Sequence, residues 1–164
     1  MAKAIFKLNS ENELGSLYRI ARDENFLNSN KNFDNSSYTI LDITEDQFND
    51  IKLNEIVVVS HNGSTIVTQK VDGSDSTDPD TPPNAPAEYT YFSNENDLKE
   101  YINVQINELT AYSENNSSHP ISTLIDTYVE WLRNLDTSSV PLNISLEKHA
   151  SQQGQEPISI LELI

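Results

Sequence analysis

Residues 72–88, DGSDSTDPDTPPNAPAE, divide this chain of 164 residues. Asp72, Asp75, Asp78 and Asp80 repel one another, and prolines at 79, 82, 83 and 86 hold the backbone extended, with no large apolar side chain to bury. Such a segment cannot lie inside a packed core, so folding is confined to either side of it. Aspartate-rich loops can also hold calcium, and an EF-hand loop needs glycine at its sixth position and a bidentate glutamate at its twelfth. From Asp72 those positions are Thr77 and Pro83, and from Asp75 they are Asp80 and Pro86. Neither register fits. The stretch 71–88 therefore reads as a stiff acidic linker between modules at 1–70 and 89–164, and the fold class expected is α+β.

In the first module, KAIFKL (3–8) has the alternation of a strand. Ser10 and Glu13 then have capping-box spacing, and Leu14, Leu17, Tyr18 and Ala21 recur on one helical face, predicting a helix that ends near Glu24. NFLNSNKNFDNSS reads as loop. YTILDI (38–43) is a second strand, followed by Thr44 as N-cap with Gln47 three residues on, while Ile43 and Phe48 stand in the positions of a hydrophobic staple. A short helix follows, then a β-branched strand at 54–60. Asn62-Gly63 suits a two-residue type I′ turn, with STIVTQ (64–69) returning antiparallel. The order expected is β-α-β-α-β-β.

After the linker the period becomes helical. Leu98, Tyr101, Ile102, Gln105, Leu109 and Tyr112 line a helix near 94–112 capped by Ser93 or Asn94. Ile121, Leu124, Ile125, Tyr128, Trp131, Leu132 and Leu135 line another near 120–135, with Pro120 in its first turn. The two should form an antiparallel hairpin, with a shorter helix over 140–150 that Gly154 stops.

Twenty-six acidic residues against ten basic leave −16, which opposes nucleic acid and anionic membrane faces, so partners should be basic, apolar or further copies of the chain. The excess is uneven, −3 over residues 1–70 and −13 over 71–164. The absence of cysteine excludes disulfides, thiolate nucleophiles and Cys-based metal sites. No signal-peptide pattern opens the sequence, no run reaches membrane-spanning length, and a soluble chain is expected.

Candidate chemistry is sparse. His61, His119 and His149 have no second ligand at helical spacing and read as surface or capping residues. Gly15, Gly63, Gly73 and Gly154 are too scattered for a phosphate cradle, and no GxSxG elbow occurs. The acidic neighbours Glu45 and Asp46, Glu95 and Asp97, and Asp126 and Glu130 read as solvated faces. Tyr128 and Trp131 fall in the apolar stripe and read as core, and Arg133 as a partner for Glu130 or a helix cap. No catalytic residue, cofactor, metal or small-molecule substrate is expected.

The C-terminal ISILELI stands apart. Ile158, Ile160, Leu161, Leu163 and Ile164 follow Pro157 as an apolar, β-prone extended tail. Two readings stay open: the tail adds as a strand to another chain, making these five a partner-binding site, or it covers its own domain.

Over residues 38–69 the order of strand, capped short helix, strand and Asn-Gly hairpin resembles small modules of accessory virion proteins of tailed bacteriophages, and the asparagine-rich, acidic, cysteine-free composition is similar to that of marine phage proteins. The resemblance implies a non-enzymatic structural protein made in the host cytoplasm and carried in the virion, as a tail, neck or baseplate connector. Its partners would be other virion proteins and copies of itself, with no direct nucleic acid and no membrane. A capsid-surface decoration protein is the near variant, and an acidic mimic of DNA that inhibits a host nucleic-acid-binding protein is the alternative from another class.

Overall fold

The computed structural model describes residues 1–8, 17–71 and 90–164. The linker, apart from Val71, and the expected helix start at Ser10 lie outside them. Strands occupy the first half and longer helices the second, an α+β arrangement.

β1 (Ala2–Lys7) is the middle of a three-stranded antiparallel sheet, with β2 (Leu17–Ala21) on one side and β3 (Tyr38–Ile43) on the other. Here the expected helix is overturned, because Leu17 to Ala21 are strand. Lys3 pairs with Ala21 and Ile5 with Arg19, and Leu17 packs on one apolar cluster while Tyr18 and Ala21 pack on another. Tertiary pairing overrides a period read over only two turns. The expected loop also contains a one-turn helix, α1 (Glu24–Asn28), capped by Asp23, whose carboxylate accepts from the amides of Asn25 and Phe26.

β3 leads into α2 (Glu45–Lys52) through the capping box read from sequence. The Gln47 amide donates to Thr44 Oγ1 at 3.1 Å, and the Thr44 amide donates to Gln47 Oε1 at 2.9 Å. β4 (Ile56–His61) and β5 (Ile66–Lys70) form a separate antiparallel hairpin. Its turn is longer than expected: His61 faces Ile66, leaving residues 62–65 as a four-residue loop. Asn62 accepts the amides of Ser64 and Thr65 on its side-chain oxygen, which ties the loop from within, and only Gly63, at φ 91°, takes the positive φ that a type I′ turn asks of both residues.

In the second half, α3 (Glu95–Asn115) begins at Asn94, whose side chain accepts from the Asp97 amide, and α4 (Ile121–Arg133) begins just after Pro120. α3 and α4 pack together, and Ser113 and Ser122 hydrogen-bond at 2.7 Å near their connection. α5 (Leu146–Gln152) is the expected short helix, cut back to the residues after Ser145, which caps it. Gly154, at φ 75°, follows it and lets the Gln155 amide turn back to the Ala150 carbonyl.

Three apolar clusters result. The helical one centres on Leu98, Ile102, Leu109, Ile125, Tyr128 and Leu146. A second packs Ala4, Phe6, Ile20, Leu41 and Ile43 of the sheet against Phe48, Ile51, Val58 and Ile66. A third, small one lies on the opposite sheet face around Ile5, Ala21 and Leu27.

Candidate functional site

The C-terminal segment is not an extended tail. Ser159 caps a single 3-10 turn over Ile160–Glu162: its hydroxyl accepts from the Leu161 amide, and Glu162 Oε2 accepts from the Ser159 amide at 2.9 Å. Ser-x-x-Glu spacing in the sequence carried this signal, and the β-prone residues around it masked it. The turn sends the apolar side chains to different clusters. Ile158 is buried in the helical core with Leu163 against it, Leu161 packs on the second cluster, and Ile164 is buried in the third. Ile160 is half-buried. Of the two readings left open for the tail, Ile158, Leu161, Leu163 and Ile164 follow the second, in which it covers its own fold.

Polar contacts fasten the same segment to the first half and to α3. Arg19 Nε donates to the Leu163 carbonyl at 2.8 Å, Asn30 Nδ2 to the Ile164 oxygen at 2.6 Å, and the Tyr112 hydroxyl to that same oxygen. Arg22 reaches Glu156 at 2.7 Å and the buried Glu162 at 2.9 Å, and Lys52 reaches Glu156 at 2.9 Å. Burial pushes the Glu162 carboxyl above its ordinary range, with the Arg22 charge and the Ser159 amide pulling it back. Partial burial works against the charge of Glu156 as well, but Lys52 and Arg22 outweigh it and hold that carboxyl below the usual range.

A second buried carboxylate, Glu147 on α5, joins the halves beside it. Tyr101 donates to its Oε1 at 2.6 Å, and Asn54 Nδ2 to its Oε2 at 2.9 Å. Asn54 adopts φ 57°, a left-handed conformation costly for a residue with a Cβ. Its side-chain bond to Glu147 and the Tyr91 hydroxyl on its carbonyl at 2.8 Å hold it there. Burial raises Glu147 despite its two donors. Tyr128, 1% exposed, feels the charge of both Glu147 and Glu162, and burial first, those charges second, push its phenol well above the ordinary range.

Two buried carboxyls with raised proton affinity are what a general acid requires. Here, however, Glu147 is 1% and Glu162 2% exposed, closed off by the contacts just described, so a substrate has no approach to either. The arrangement acts as a structural seam between residues 19–55 and residues 101–164.

The histidines divide. His61 is half-buried, lies against Phe6 at 4.4 Å between ring centres, and accepts the Gly63 amide on Nδ1, a turn-capping role as expected. His119 and His149 are buried, not on the surface. His119 Nδ1 accepts the Ile121 amide at 3.1 Å, which caps α4, and its Nε2 lies 2.9 Å from the Phe26 carbonyl in α1. That pairing sets the neutral tautomer with hydrogen on Nε2, and burial lowers the ring's affinity for a second proton. Burial does the same to His149, which lies beside Trp131.

Tyr128 and Trp131 stack at 5.9 Å within the helical cluster, as core. Glu45 and Asp46 occupy the first turn of α2, Glu95 and Asp97 that of α3, where acidic groups favour the helix dipole. Asp126 accepts from Ser113 Oγ at 2.7 Å. Arg133 stands exposed in the last turn of α4, favourably placed for the dipole, and makes no ion pair with Glu130. Sequence reasoning missed Arg22, Lys52, Asn54, Glu147 and Glu156, whose importance comes from partners up to 140 residues distant.

Among the described residues no group of three His, Asp or Glu side chains could hold a metal, and no helix is long and apolar enough to cross a membrane. The exposed large apolar side chains include Val57, Val59 and Val67, all on the β4–β5 hairpin. No protein family, curated protein or solved structure matches this chain.

Proposed function

We propose that this chain is a non-enzymatic structural protein of a tailed-phage particle, a multi-copy connector in the tail, neck or baseplate. The observation that carries the reading is the use made of buried ionisable groups whose proton affinity burial has shifted. Glu147, Glu162 and His119 are all spent on holding the two halves of the chain together, out of reach of any substrate. Side chains that could perform chemistry serve rigidity, which an assembly component needs and a catalyst would have to keep accessible. The exposed hairpin valines and the outer edge of β3 then remain for neighbouring subunits. The phage assignment rests on the resemblance at residues 38–69.

The test is mass-spectrometric analysis of purified particles from a source that expresses the chain. The expected result is the chain at a fixed stoichiometry that survives a high-salt wash. Its absence from particles, combined with salt-sensitive capture of a basic nucleic-acid enzyme, would overturn the proposal in favour of DNA mimicry.

A further inference from the structure

The strand edges of this protein are not treated alike. Exposed edges invite pairing with other chains, and proteins blunt them with bulges, lysines or covering segments. β2 lies under the C-terminal segment, with Arg19 donating to the Leu163 carbonyl. β4 carries a bulge between Val58 and Ser60, and β5 ends on Lys70. β3 has none of these. It is regular over six residues, contains no proline or lysine, and pairs among the described residues only with β1.

Its outward groups follow from the register. Leu8 N–H donates to the Ser37 carbonyl, one step beyond the pair Lys7 and Tyr38. Antiparallel ladders alternate, so Thr39, Leu41 and Ile43 turn their backbone groups toward β1, and Tyr38, Ile40 and Asp42 turn theirs outward. The Tyr38 N–H is taken by the Asn35 carbonyl. Among the described residues, what faces outward without a backbone partner is the Tyr38 carbonyl together with the N–H and C=O of Ile40 and Asp42.

We infer that β3 is a self-pairing edge, at which a second copy of this chain adds its own β3 antiparallel about a twofold axis through Ile40. In that register the two Ile40 residues exchange both backbone hydrogen bonds. Each Asp42 N–H meets the Tyr38 carbonyl of the other copy, and the Tyr38 N–H that would otherwise face Asp42 is already satisfied. Side chains agree as well. Ile40 meets Ile40 of the other copy, and on the same face Tyr38 meets Asp42, with Lys7 paired to Tyr38 and Lys3 bonded to Asp42 at 2.6 Å. Across the junction the row runs Lys7, Tyr38, Asp42, Lys3, so each carboxylate has Lys3 on one side and Tyr38 on the other, with no like charge opposite it. The contact also joins the less acidic halves, −3 against −13, which limits the repulsion between two chains of −16. One strand pair buries less than the roughly 1,000 Å² of a stable interface, so the contact is weak alone and effective in a multi-copy array. In that respect it rests on the structural reading above.

Because the chain has no cysteine, a single one reports the geometry. A hydrogen-bonded antiparallel pair sets its Cα atoms about 5.5 Å apart, within disulfide range. Ile40→Cys should therefore form a cross-linked dimer on mild oxidation. Asp42→Cys should not, since the two copies of position 42 would lie four residues apart, roughly 14 Å. In the unmodified protein, amide exchange at Ile40 and Asp42 should slow as concentration rises from about 10 µM to about 1 mM, while Thr39, Leu41 and Ile43 stay protected throughout. Equal cross-linking of the two variants, or exchange at Ile40 and Asp42 that does not change with concentration, would overturn the pairing. If the chain is nevertheless found in particles, the structural reading stands without it.

Discussion

Arg22 follows the last residue of β2 and places its guanidinium 2.9 Å from the carboxylate of Glu162, 140 residues later, on a side chain only 1% exposed. The same guanidinium reaches Glu156 at 2.7 Å. One cation thus holds both ends of the C-terminal segment against the sheet. Removing it leaves Glu162 buried without its counter-charge, the costly way to break such a pair. Arg22→Met should lower the unfolding free energy by about 3–5 kcal/mol, and adding Glu162→Gln to that variant should recover a part of it. Urea denaturation of the single and double variants measures both, and a loss below about 1 kcal/mol in the single variant would show that the ion pair is not what holds the segment.

Acid should weaken the link through His119. Its folded-state proton affinity is lowered by burial, so below the ordinary histidine value of about 6.5 the unfolded chain binds a proton that the folded chain refuses. Stability from this group is complete above that value and is lost as pH falls toward the folded-state value. Protonation would also set an Nδ1 hydrogen against the Ile121 amide hydrogen. The His119 ring resonances should titrate below 6.5 in the folded protein, and a midpoint above it would contradict the burial argument.

Glu147 acts in the opposite sense. With its carboxyl raised, the folded chain keeps a proton that the unfolded chain releases once pH exceeds about 4.5, so stability declines as pH rises through that value toward the folded-state value. Glu147→Gln keeps an acceptor for Tyr101 and removes the titration. Its urea midpoint should vary less than that of the wild type between pH 5 and pH 8, and an unchanged slope would assign the effect elsewhere, Glu162 first.

Ile158 is the apolar anchor of the C-terminal segment, fully buried in the helical cluster. Ile158→Ala should cost about 2–5 kcal/mol, as other large-to-small core changes do. Thermal unfolding followed by circular dichroism reads it, and a shift no greater than that of a surface substitution would place the side chain outside the core.

The local signals that carried through to the structure joined groups close in sequence. Thr44 and Gln47 could be read as a capping box because both hydrogen bonds close within one turn. The stripes of α3 and α4 could be read because the helical period repeats over several turns. Where the pattern was shorter, pairing decided. Leu17, Tyr18 and Ala21 fit a helical face equally well as part of a strand, and only β1 beside them settled which backbone hydrogen bonds formed.

The C-terminal segment marks the same boundary most sharply. Its apolarity, the chain's uneven charge and its lack of cysteine follow from the residues alone, since composition and local spacing depend on no other part of the molecule. That Ile158, Leu161 and Ile164 enter three different clusters, that Arg22 finds Glu156 and Glu162, and that Glu147 is enclosed by Tyr101 and Asn54 are decided only in three dimensions. Burial and long-range ion pairing are properties of the assembled neighbourhood, and no spacing along the chain encodes them.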